Sequence, residues 1–471
     1  ASWLVARIAL GMRQDAPKAE RWWHDGALVA ALMYALHPAL GEGSCFVSAQ
    51  FDALLTVFLL AALLADRVVE RPMRRAVAVG GFFFLAALCK EMAAGFVMVL
   101  PCVHLARSAA AKSWRHRLAE HRPTYAALLV SSLAYLGWRA VALGRLLDPS
   151  AASKTGASII ASSDALARSL QLMLWPMGSL TPIQLPAASA GELALDAAFL
   201  LIVIAGVCEL VRRGFSAGWW LAAVLVSLLP ISQPWLSVMA DGAVTAERFL
   251  VFPIALLCLA IARAWPSHAE RPLLTIVGMW CGGAALTSLL ISLHWRDELS
   301  LWSWGTEASP ASAVAWTNLS HAQMKRGEFA AVETSAARAI ELDPDVTMAW
   351  NNRGMARLSL GRFAEAEADF RAALKHGPTN VKAANNLAIA LLSQKRFSLA
   401  EQALRQQALR IDPNDPYAHL ILGELLLRRG EPSEALEHLA AGLRALPTSD
   451  PAAAQDAKRL LGRARQMLSA P

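Results

Sequence analysis

The fold of the C-terminal part of the chain follows from one stretch, TMAWNNRGMARLSLGRFAEAEADFRAALKHGPTN, at residues 347–380. Its pattern recurs at intervals of 34 residues on both sides of this position. The recurring features are a polar residue followed by Phe (328–329, 362–363 and 396–397), a Trp (Trp316 and Trp350) and a pair of Asn (351–352 and 385–386). A fixed period of this length indicates stacked helical units that complete their apolar cores against each other.

A period of 34 residues is that of tetratricopeptide repeats, in which each unit is a pair of helices. Prolines close four such units, and the third closes one residue late: Pro344, Pro378, Pro413 and Pro447. Glycines recur at the turns, where a left-handed backbone favours them. The sequence therefore predicts four repeats at 311–447, a linker before them at 296–310 and a polar capping helix at 448–471.

Asparagines recur in the first helix of the repeats, at positions that we expect to face the groove of the solenoid. Their amides can hydrogen-bond the backbone of an extended peptide. The candidate residues of this peptide-binding groove are Asn318, Asn351, Asn352, Asn385 and Asn386. We expect a protein or peptide partner there. The alternative is that these residues are solvated polar positions of the helix surface.

The first 295 residues differ in composition from the repeats. The whole chain of 471 residues is 56% hydrophobic and 17% charged, whereas a soluble chain holds about a quarter charged residues. Apolar segments lie at 1–12, 24–40, 46–65, 76–106, 123–143, 193–211, 217–236, 249–264 and 272–293. Because a helix of about 20 apolar residues crosses a bilayer, residues 1–295 are predicted to form a multi-pass transmembrane domain. The fold class expected for the whole chain is all-α.

The segment 76–106 is too long for one upright helix, and Lys90-Glu91 interrupts it. Arginines flank it on both sides, at 67–75 and 107–122. Basic loops remain in the cytoplasm, so both ends of this segment should lie on the same side. We therefore predict a hairpin of two helices with Lys90-Glu91 near its outer tip. This count gives about ten spans, the first partial, in the inner membrane, and it places the repeats in the periplasm.

The net charge of +7 does not indicate a nucleic-acid partner. The basic residues lie in short loops between apolar segments, which is the pattern of membrane orientation. Membrane lipid is the expected partner of the first domain. The six cysteines form no CxxC pair, and no Gly-rich phosphate loop, GxSxG or HExxH occurs, so the sequence offers no metal-binding or soluble catalytic motif.

Charged residues lie at the predicted outer ends of several spans. They are Glu42, Asp52, Lys90, Glu91, Glu247 and Arg248. Charges at membrane depth need partners or a water-filled cavity, and we expect one shared cavity. The alternative is that they are snorkelling groups or structural ion pairs. Residues 165–175 are predicted to form an interfacial helix.

Several stretches, taken in order, resemble the transmembrane and tetratricopeptide-repeat-containing proteins, which are GT-C glycosyltransferases related to protein O-mannosyltransferases. They are ALHPALGEGSCFVSAQFDALL (35–55), LAALCKEMAAGFVMVLP (85–101), YLGWRAVALG (135–144), LWPMGSL (174–180), AERFLVFPIALLCL (246–259) and WRDELSLW (295–302). The resemblance covers essentially the whole chain. It implies a GT-C-like polytopic domain followed by the repeats.

The resemblance further implies transfer of a sugar from a polyprenyl-phosphate donor to a hydroxyl of a periplasmic protein or glycan, with the repeats binding the acceptor. A carboxylate would accept the acceptor proton or bind a divalent metal ion, and the candidates are Glu42, Asp52 and Glu91. The residues implied in binding the donor phosphate are Lys90, Arg139, Glu247 and Arg248.

The family's catalytic acid lies in an outer loop upstream of every segment present here, so we expect sequence to be missing before Ala1. Gln50 also stands where the family has Arg. The alternative function is therefore a non-catalytic membrane anchor, whose periplasmic repeats recruit a protein partner or join a larger complex. A transporter is a weaker third hypothesis, because the sequence has no inverted repeat.

Overall fold

The computed structural model describes residues 1–11, 26–38, 50–107, 113–143, 158–175, 190–229, 250–266, 271–447 and 449–469. These residues form helices joined by turns, and no strand occurs among them. The prediction of an all-α fold is therefore confirmed. The chain divides into two compact units, Ala1–Arg296 and Asp297–Pro471.

The helices of the first unit are α1 (Ser2–Gly11), α2 (Gly26–Leu36), α3 (Gln50–Val68), α4 (Pro72–Cys89), α5 (Phe96–Arg107), α6 (Trp114–Ala119), α7 (Arg122–Leu143), α8 (Ser158–Leu174), α9 (Ala190–Arg212), α10 (Ser216–Leu228), α11 (Val251–Ala264) and α12 (Arg271–His294). A 3-10 helix, Glu91–Gly95, lies between α4 and α5. Each predicted apolar segment overlaps one of these helices, except 76–106, which overlaps both α4 and α5.

Ion pairs at the two ends of α3 show that the chain reverses between α4 and α5. Lys90 Nζ donates to both carboxylate oxygens of Asp52, in the first turn of α3, at 2.7 and 2.9 Å. Arg107, the last residue of α5, donates to Asp66 Oδ2 near the other end of α3 at 2.7 Å. The chain therefore returns to the end from which α4 began, as the hairpin prediction requires.

The core of the first unit is made of closely packed apolar helices. Helix α4 packs against α3 and α7, and α10 packs against α5 and α11. Phe96 and Trp220 are fully buried there. Gly80 allows α7 to approach α4, because a Cβ at that position would lie 3.2 Å from the Ala127 Cβ. Small residues at helix contacts are typical of apolar bundles.

Four of the described helices are long and apolar enough to cross a membrane: α4, α7, α9 and α12. In three of them, α7, α9 and α12, fewer than a fifth of the residues in the apolar window are buried in the folded chain. Leu133, Leu201 and Met279 illustrate this, since they are 59%, 68% and 71% exposed.

The helix predicted at 165–175 is longer than expected and begins at Ser158. It is α8, which packs on α9, and Gln171 Nε2 donates to Asp196 Oδ1 at 3.1 Å. Leu170 and Met173 are buried.

The helices of the second unit are α13 (Glu298–Ala308), α14 (Ala313–Lys325), α15 (Phe329–Leu342), α16 (Thr347–Ser359), α17 (Phe363–His376), α18 (Val381–Ser393), α19 (Phe397–Ala403, continued by a π-helical turn at Leu404–Ala408 and a last turn at Leu409–Ile411), α20 (Pro416–Arg429), α21 (Pro432–Ala445) and α22 (Pro451–Ser469). The four predicted repeats are the pairs α14–α15, α16–α17, α18–α19 and α20–α21, and α22 packs on the last pair as a cap.

The linker predicted at 296–310 is wrong, because α13 occupies most of it and packs on α14. Asp297 caps α13 by accepting from the Ser300 N–H at 2.9 Å. Lys325 Nζ donates to Glu298 at 2.7 Å, and Leu301 is buried. The second unit therefore begins at Asp297, before the 34-residue pattern starts.

The residue that makes the third repeat longer is absorbed by a local change of helix type. The π-helical turn Leu404–Ala408 contains Gln406-Gln407, which come shortly before the delayed Pro413 in the sequence. A π-turn holds one more residue than an α-turn while the flanking helix keeps its packing. Ala403, Leu404 and Ala408 are buried, so the apolar face of the helix continues across the insertion.

The turn inside the third repeat carries a strained residue. Gly327, Gly361 and Gly430 occupy the equivalent position in the other repeats with φ of 74°, 76° and 82°, whereas the third repeat has Lys395 with φ of 60°. The left-handed conformation costs a residue with a Cβ about 1–2 kcal/mol. Glycine avoids that cost, although it gains about 0.5–1 kcal/mol of conformational freedom in the unfolded chain.

We expect Lys395→Gly to stabilise the third repeat by about 0.5–1 kcal/mol, since the removed steric cost exceeds the entropy of glycine. Hydrogen exchange on the intact protein should show two- to fivefold greater protection of α18 and α19 (about a factor of ten per 1.4 kcal/mol). The control Gly361→Ala should reduce the protection of α16 and α17. Unchanged or lower protection in Lys395→Gly would contradict the assignment of strain.

Candidate functional site

The candidate binding surface is formed by the first helices of the repeats, α14, α16, α18 and α20, which pack side by side. Residues spaced by three, four and seven positions share one face of a helix. We call the following residues the groove face, because this side of a tetratricopeptide stack is concave: Val314, Asn318, His321, Met348, Asn351, Met355, Lys382, Asn386, Ile389, Tyr417, Ile421 and Glu424.

Half of the groove-face residues are apolar, and five of the twelve are exposed. Val314, Met348 and Tyr417 are 40%, 52% and 42% exposed, although large apolar side chains are usually inside. Its formal charges are Lys382 near one end of α18 and Glu424 in α20, and Arg428, one turn further along α20, donates to Glu424 at 2.7 Å. This surface is suited to a segment with uncharged side chains.

Two asparagines connect neighbouring repeats on this surface. Asn386 Nδ2 donates to Asn351 Oδ1 at 2.9 Å across the contact between α18 and α16. Both side chains are half-buried, and so is Asn318. An amide has two N–H donors and an oxygen with two lone pairs, so each partner in this bond can also bind a peptide backbone.

The structure corrects the prediction for Asn352 and Asn385, which lie between helices rather than on the groove face. Asn352 is 7% exposed and donates to Ser320 Oγ at 2.9 Å. Asn385 is 6% exposed and donates to Asp415 Oδ1 at 2.8 Å. Asn352 and Asn386 occupy the same position of successive repeats, as do Asn351 and Asn385. The buried member of each pair therefore differs because its neighbours differ: Ser320 accepts from Asn352, and Asp415 accepts from Asn385.

In the first unit, two residues for which separate roles were predicted are ion-paired with each other. The Asp52 side chain is 5% exposed and that of Lys90 is 24% exposed, and the shortest distance between their charged atoms is 2.7 Å. The structural ion pair that was the alternative prediction is therefore present here. Arg139 Nη1 donates to Tyr135 Oη, within α7, at 3.2 Å.

The remaining predicted site residues of the first unit are not brought into this contact by the described structure. Glu91 begins the 3-10 helix after Lys90, and only its backbone is described. Glu42, Glu247 and Arg248 lie outside the described residues.

A polar cluster at the opposite end of α3 was not predicted from the sequence. Four residues meet there: Asp66 of α3, His104 of α5, His121 of the turn before α7, and Tyr125 of α7.

A hydrogen bond that three repeats share was also not predicted from the sequence. The side chains of Trp316, Trp350 and His419 donate to the carbonyls of Pro310, Pro344 and Pro413, six residues earlier, at 2.9, 2.8 and 3.0 Å. Each of these side chains stands six residues after a proline, and this spacing could have predicted the hydrogen bond from the sequence.

The family model of the tetratricopeptide repeat matches residues 317–381, 353–416 and 385–450. The second unit therefore contains tetratricopeptide repeats, and that prediction is confirmed. The match lies within the second unit, so the resemblance of residues 1–295 to GT-C glycosyltransferases stays a prediction. No curated protein matches the chain.

Several solved structures are similar to part of the chain. A thermophilic TPR protein of Thermus thermophilus is 19% identical, with 42% of this chain and 97% of that chain covered and a TM-score of 0.31. YrrB, a TPR protein described as having an unusual peptide-binding site, is 24% identical over 36% of this chain and 88% of its own, with a TM-score of 0.28. The first TPR domain of Spaghetti, bound to an HSP90 peptide, is 20% identical over 25% and 92%, with a TM-score of 0.24.

We expect Asn352→Ala to destabilise the contact between the first two repeats by about 1–2 kcal/mol, because it removes a buried hydrogen bond and leaves Ser320 without this donor. The protection of α14 and α16 from hydrogen exchange should fall about tenfold in the intact protein. Asn318→Ala, at the equivalent position one repeat earlier, is half-exposed and should change protection less than about twofold. Equal effects of the two substitutions would contradict the assignment of Asn352 to the helix contact.

The fourth repeat should lose stability on acidification. His438 Nδ1 lies 2.9 Å from His419 Nδ1, and burial together with the neighbouring His419 lowers the pKa of His438. The folded pKa is then below the unfolded value of about 6.5. The unfolded state binds more protons below that pH, so this contribution is complete above pH about 6.5 and decreases as the pH falls.

This expectation is measured as the protection of α20 and α21 from hydrogen exchange at pH 7.5 and pH 5, corrected for the intrinsic exchange rate. Protection should be lower at pH 5, and His438→Gln should reduce the difference. Protection that is equal or greater at pH 5 would show that the histidine pair does not destabilise the repeat on protonation.

Proposed function

We propose that the protein is a membrane-anchored scaffold whose repeats bind an extended, uncharged segment of a partner protein. The observation that carries this proposal is the groove face, where exposed apolar side chains surround the hydrogen-bonded pair Asn351–Asn386. Apolar side chains supply affinity when they are removed from water. The two amides supply hydrogen bonds to the backbone of the bound segment, as backbone recognition requires.

The proposal that the first unit is the membrane anchor is supported by α7, α9 and α12. Each has 22 to 24 residues, which corresponds to about 33–36 Å at 1.5 Å per residue, enough for the hydrocarbon core. Exposing this much apolar surface is unfavourable in water but not in lipid. Membrane lipid is therefore the proposed partner of these helices.

The proposed orientation follows from the basic residues and from the hairpin. Arg67, Arg71, Arg74 and Arg75 precede α4 or lie in its first turn, and Arg107 ends α5. Both groups belong at the same end of the hairpin, and basic loops stay on the cytoplasmic side. With this hairpin counted as two passes, the proposed location is the inner membrane, with the repeats in the periplasm.

The Asp52–Lys90 pair supports a scaffold over a sugar transferase. Lys90 Nζ donates to both carboxylate oxygens of Asp52 at 2.7 and 2.9 Å, so a donor phosphate would have to compete with this pair for the ammonium group. Sugar transfer from a polyprenyl-phosphate donor, with or without a divalent metal ion, stays a prediction from the resemblance.

The proposed binding mode is tested with the purified full chain and three sets of fluorescent 12-residue peptides: uncharged aliphatic, acidic and basic. The uncharged set should bind most tightly. Met348→Asp and Asn386→Ala should each weaken its binding at least tenfold, since one adds an unpaired charge and the other removes backbone hydrogen bonds.

The matched control is Leu399→Asp, which adds the same charge at an exposed apolar residue of a second helix. It should leave peptide binding unchanged. Tightest binding of the acidic set, or equal loss of affinity in Met348→Asp and Leu399→Asp, would contradict the groove face as the binding surface.

A further inference from the structure

Three potential metal ligands meet at the end of α3 opposite to the Asp52–Lys90 pair. Asp66 lies in the last turn of α3, His104 lies in α5, and His121 lies in the turn before α7. One ligand atom from each residue lies within 4.8 Å of the other two. The side chains of Asp66 and His104 are completely buried, and His121 is half-buried. We call these residues the Asp66–His104–His121 cluster.

His104 contacts both other members of the cluster. Its Nε2 lies 2.9 Å from Asp66 Oδ2, and its ring stacks on His121 with centroids 3.5 Å apart and planes 13° from parallel. Its Nδ1 lies 2.7 Å from Tyr125 Oη. Without a metal ion, Nε2 donates to the carboxylate and Nδ1 accepts from Tyr125 Oη. A metal ion on Nε2 would require the other tautomer, in which Nδ1 donates to Tyr125. A hydrogen bond from the second ring nitrogen is how metal sites hold a histidine in its ligating tautomer.

Two polar atoms of the cluster have no hydrogen-bond partner among the described residues. They are Asp66 Oδ1 and His121 Nδ1, and both are buried. Buried polar atoms nearly always have a partner, and an exception points to an ion or a functional role. One ligand atom of each of the three residues lies close enough to the other two to share a cation.

We propose that the Asp66–His104–His121 cluster binds Zn²⁺ through one carboxylate and two imidazoles. Two nitrogens and one oxygen are a ligand set that zinc accepts, and three protein ligands leave a fourth position for water. Ca²⁺ and Mg²⁺ require more oxygen ligands than the cluster provides. The three residues come from segments separated by 38 and 17 positions in the sequence, and this is why no metal motif is visible there.

Arg107 acts on the site through the carboxylate. Its Nη1 donates to Asp66 Oδ2 at 2.7 Å, which holds the carboxylate with Oδ1 as the oxygen available for a metal ion. Its positive charge opposes a cation, so binding depends on the two neutral imidazoles. This dependence favours a metal with strong affinity for nitrogen over one that prefers oxygen. Bound zinc would join α3, α5 and the start of α7 at one end of the hairpin.

The test uses the purified full-length protein, loaded with Zn²⁺ or Co²⁺ and freed of excess metal by desalting. We expect one equivalent of zinc per chain, a visible absorption spectrum for the Co²⁺ form that zinc abolishes, and no displacement by Mg²⁺ or Ca²⁺. Zinc should also raise the unfolding temperature, since it binds the folded state.

His121→Ala is the informative variant, because His121 lies in a turn and is half-buried, so the fold should tolerate its loss. We expect its affinity for zinc to fall at least tenfold. The control is His116→Ala, an exposed residue of α6 in the same segment, which should bind zinc as the unchanged protein does. Tyr125→Phe, which keeps the aromatic packing and removes the hydroxyl beside His104, should weaken binding as a second variant.

The proposal is overturned if the unchanged protein retains no zinc after desalting. It is also overturned if His121→Ala binds as tightly as the unchanged protein, or if His116→Ala loses as much affinity as His121→Ala. Equal displacement of Co²⁺ by Mg²⁺ would exclude a nitrogen-rich zinc site.

Discussion

The arrangement of the first unit depends on two ion pairs that bind the ends of α3 to the next two helices. Asp52 pairs with Lys90 where α4 has ended, and Asp66 pairs with Arg107 where α5 ends. Both carboxylates are buried, so removing either cation would leave a buried charge with fewer partners. These pairs therefore hold α4 and α5 as a hairpin beside α3, and the Asp66–His104–His121 cluster lies at the end of α3 opposite the hairpin turn.

The second unit is held together by contacts that repeat along the chain. Aromatic or histidine side chains bond the carbonyl of a preceding proline, and side chains such as Ser312, Asn380 and Asp415 cap the first helices. Since each repeat contacts its neighbours in the same way, one extra residue is absorbed by the π-helical turn without loss of register. The groove face stays continuous across the repeats, and the proposed peptide binding depends on that continuity.

The sequence predicted the features that have a period or a clear charge pattern. The 34-residue period located the repeats and even the insertion, and the charged interruption at Lys90-Glu91 located the hairpin turn. The sequence did not predict α13, because this helix lies before the 34-residue period begins and is too short to show a period of its own. The sequence also could not decide which Asn of each consecutive pair is buried, because that depends on its hydrogen-bond partner in the neighbouring repeat, Ser320 for Asn352 and Asp415 for Asn385. The Asp66–His104–His121 cluster was missed because only tertiary folding brings three distant segments together.

The central claim is that the repeats follow an apolar membrane anchor and lie on the periplasmic side of the inner membrane. The reaction of single cysteines with a membrane-impermeant maleimide tests this claim. The six native cysteines all lie before residue 296 and would first be replaced. Ser398→Cys is at an exposed position of the third repeat, and Arg213→Cys is in the turn between α9 and α10. The account predicts that Ser398→Cys reacts when only the outer membrane is opened, and that Arg213→Cys reacts only after the inner membrane is disrupted. The reverse pattern would contradict it.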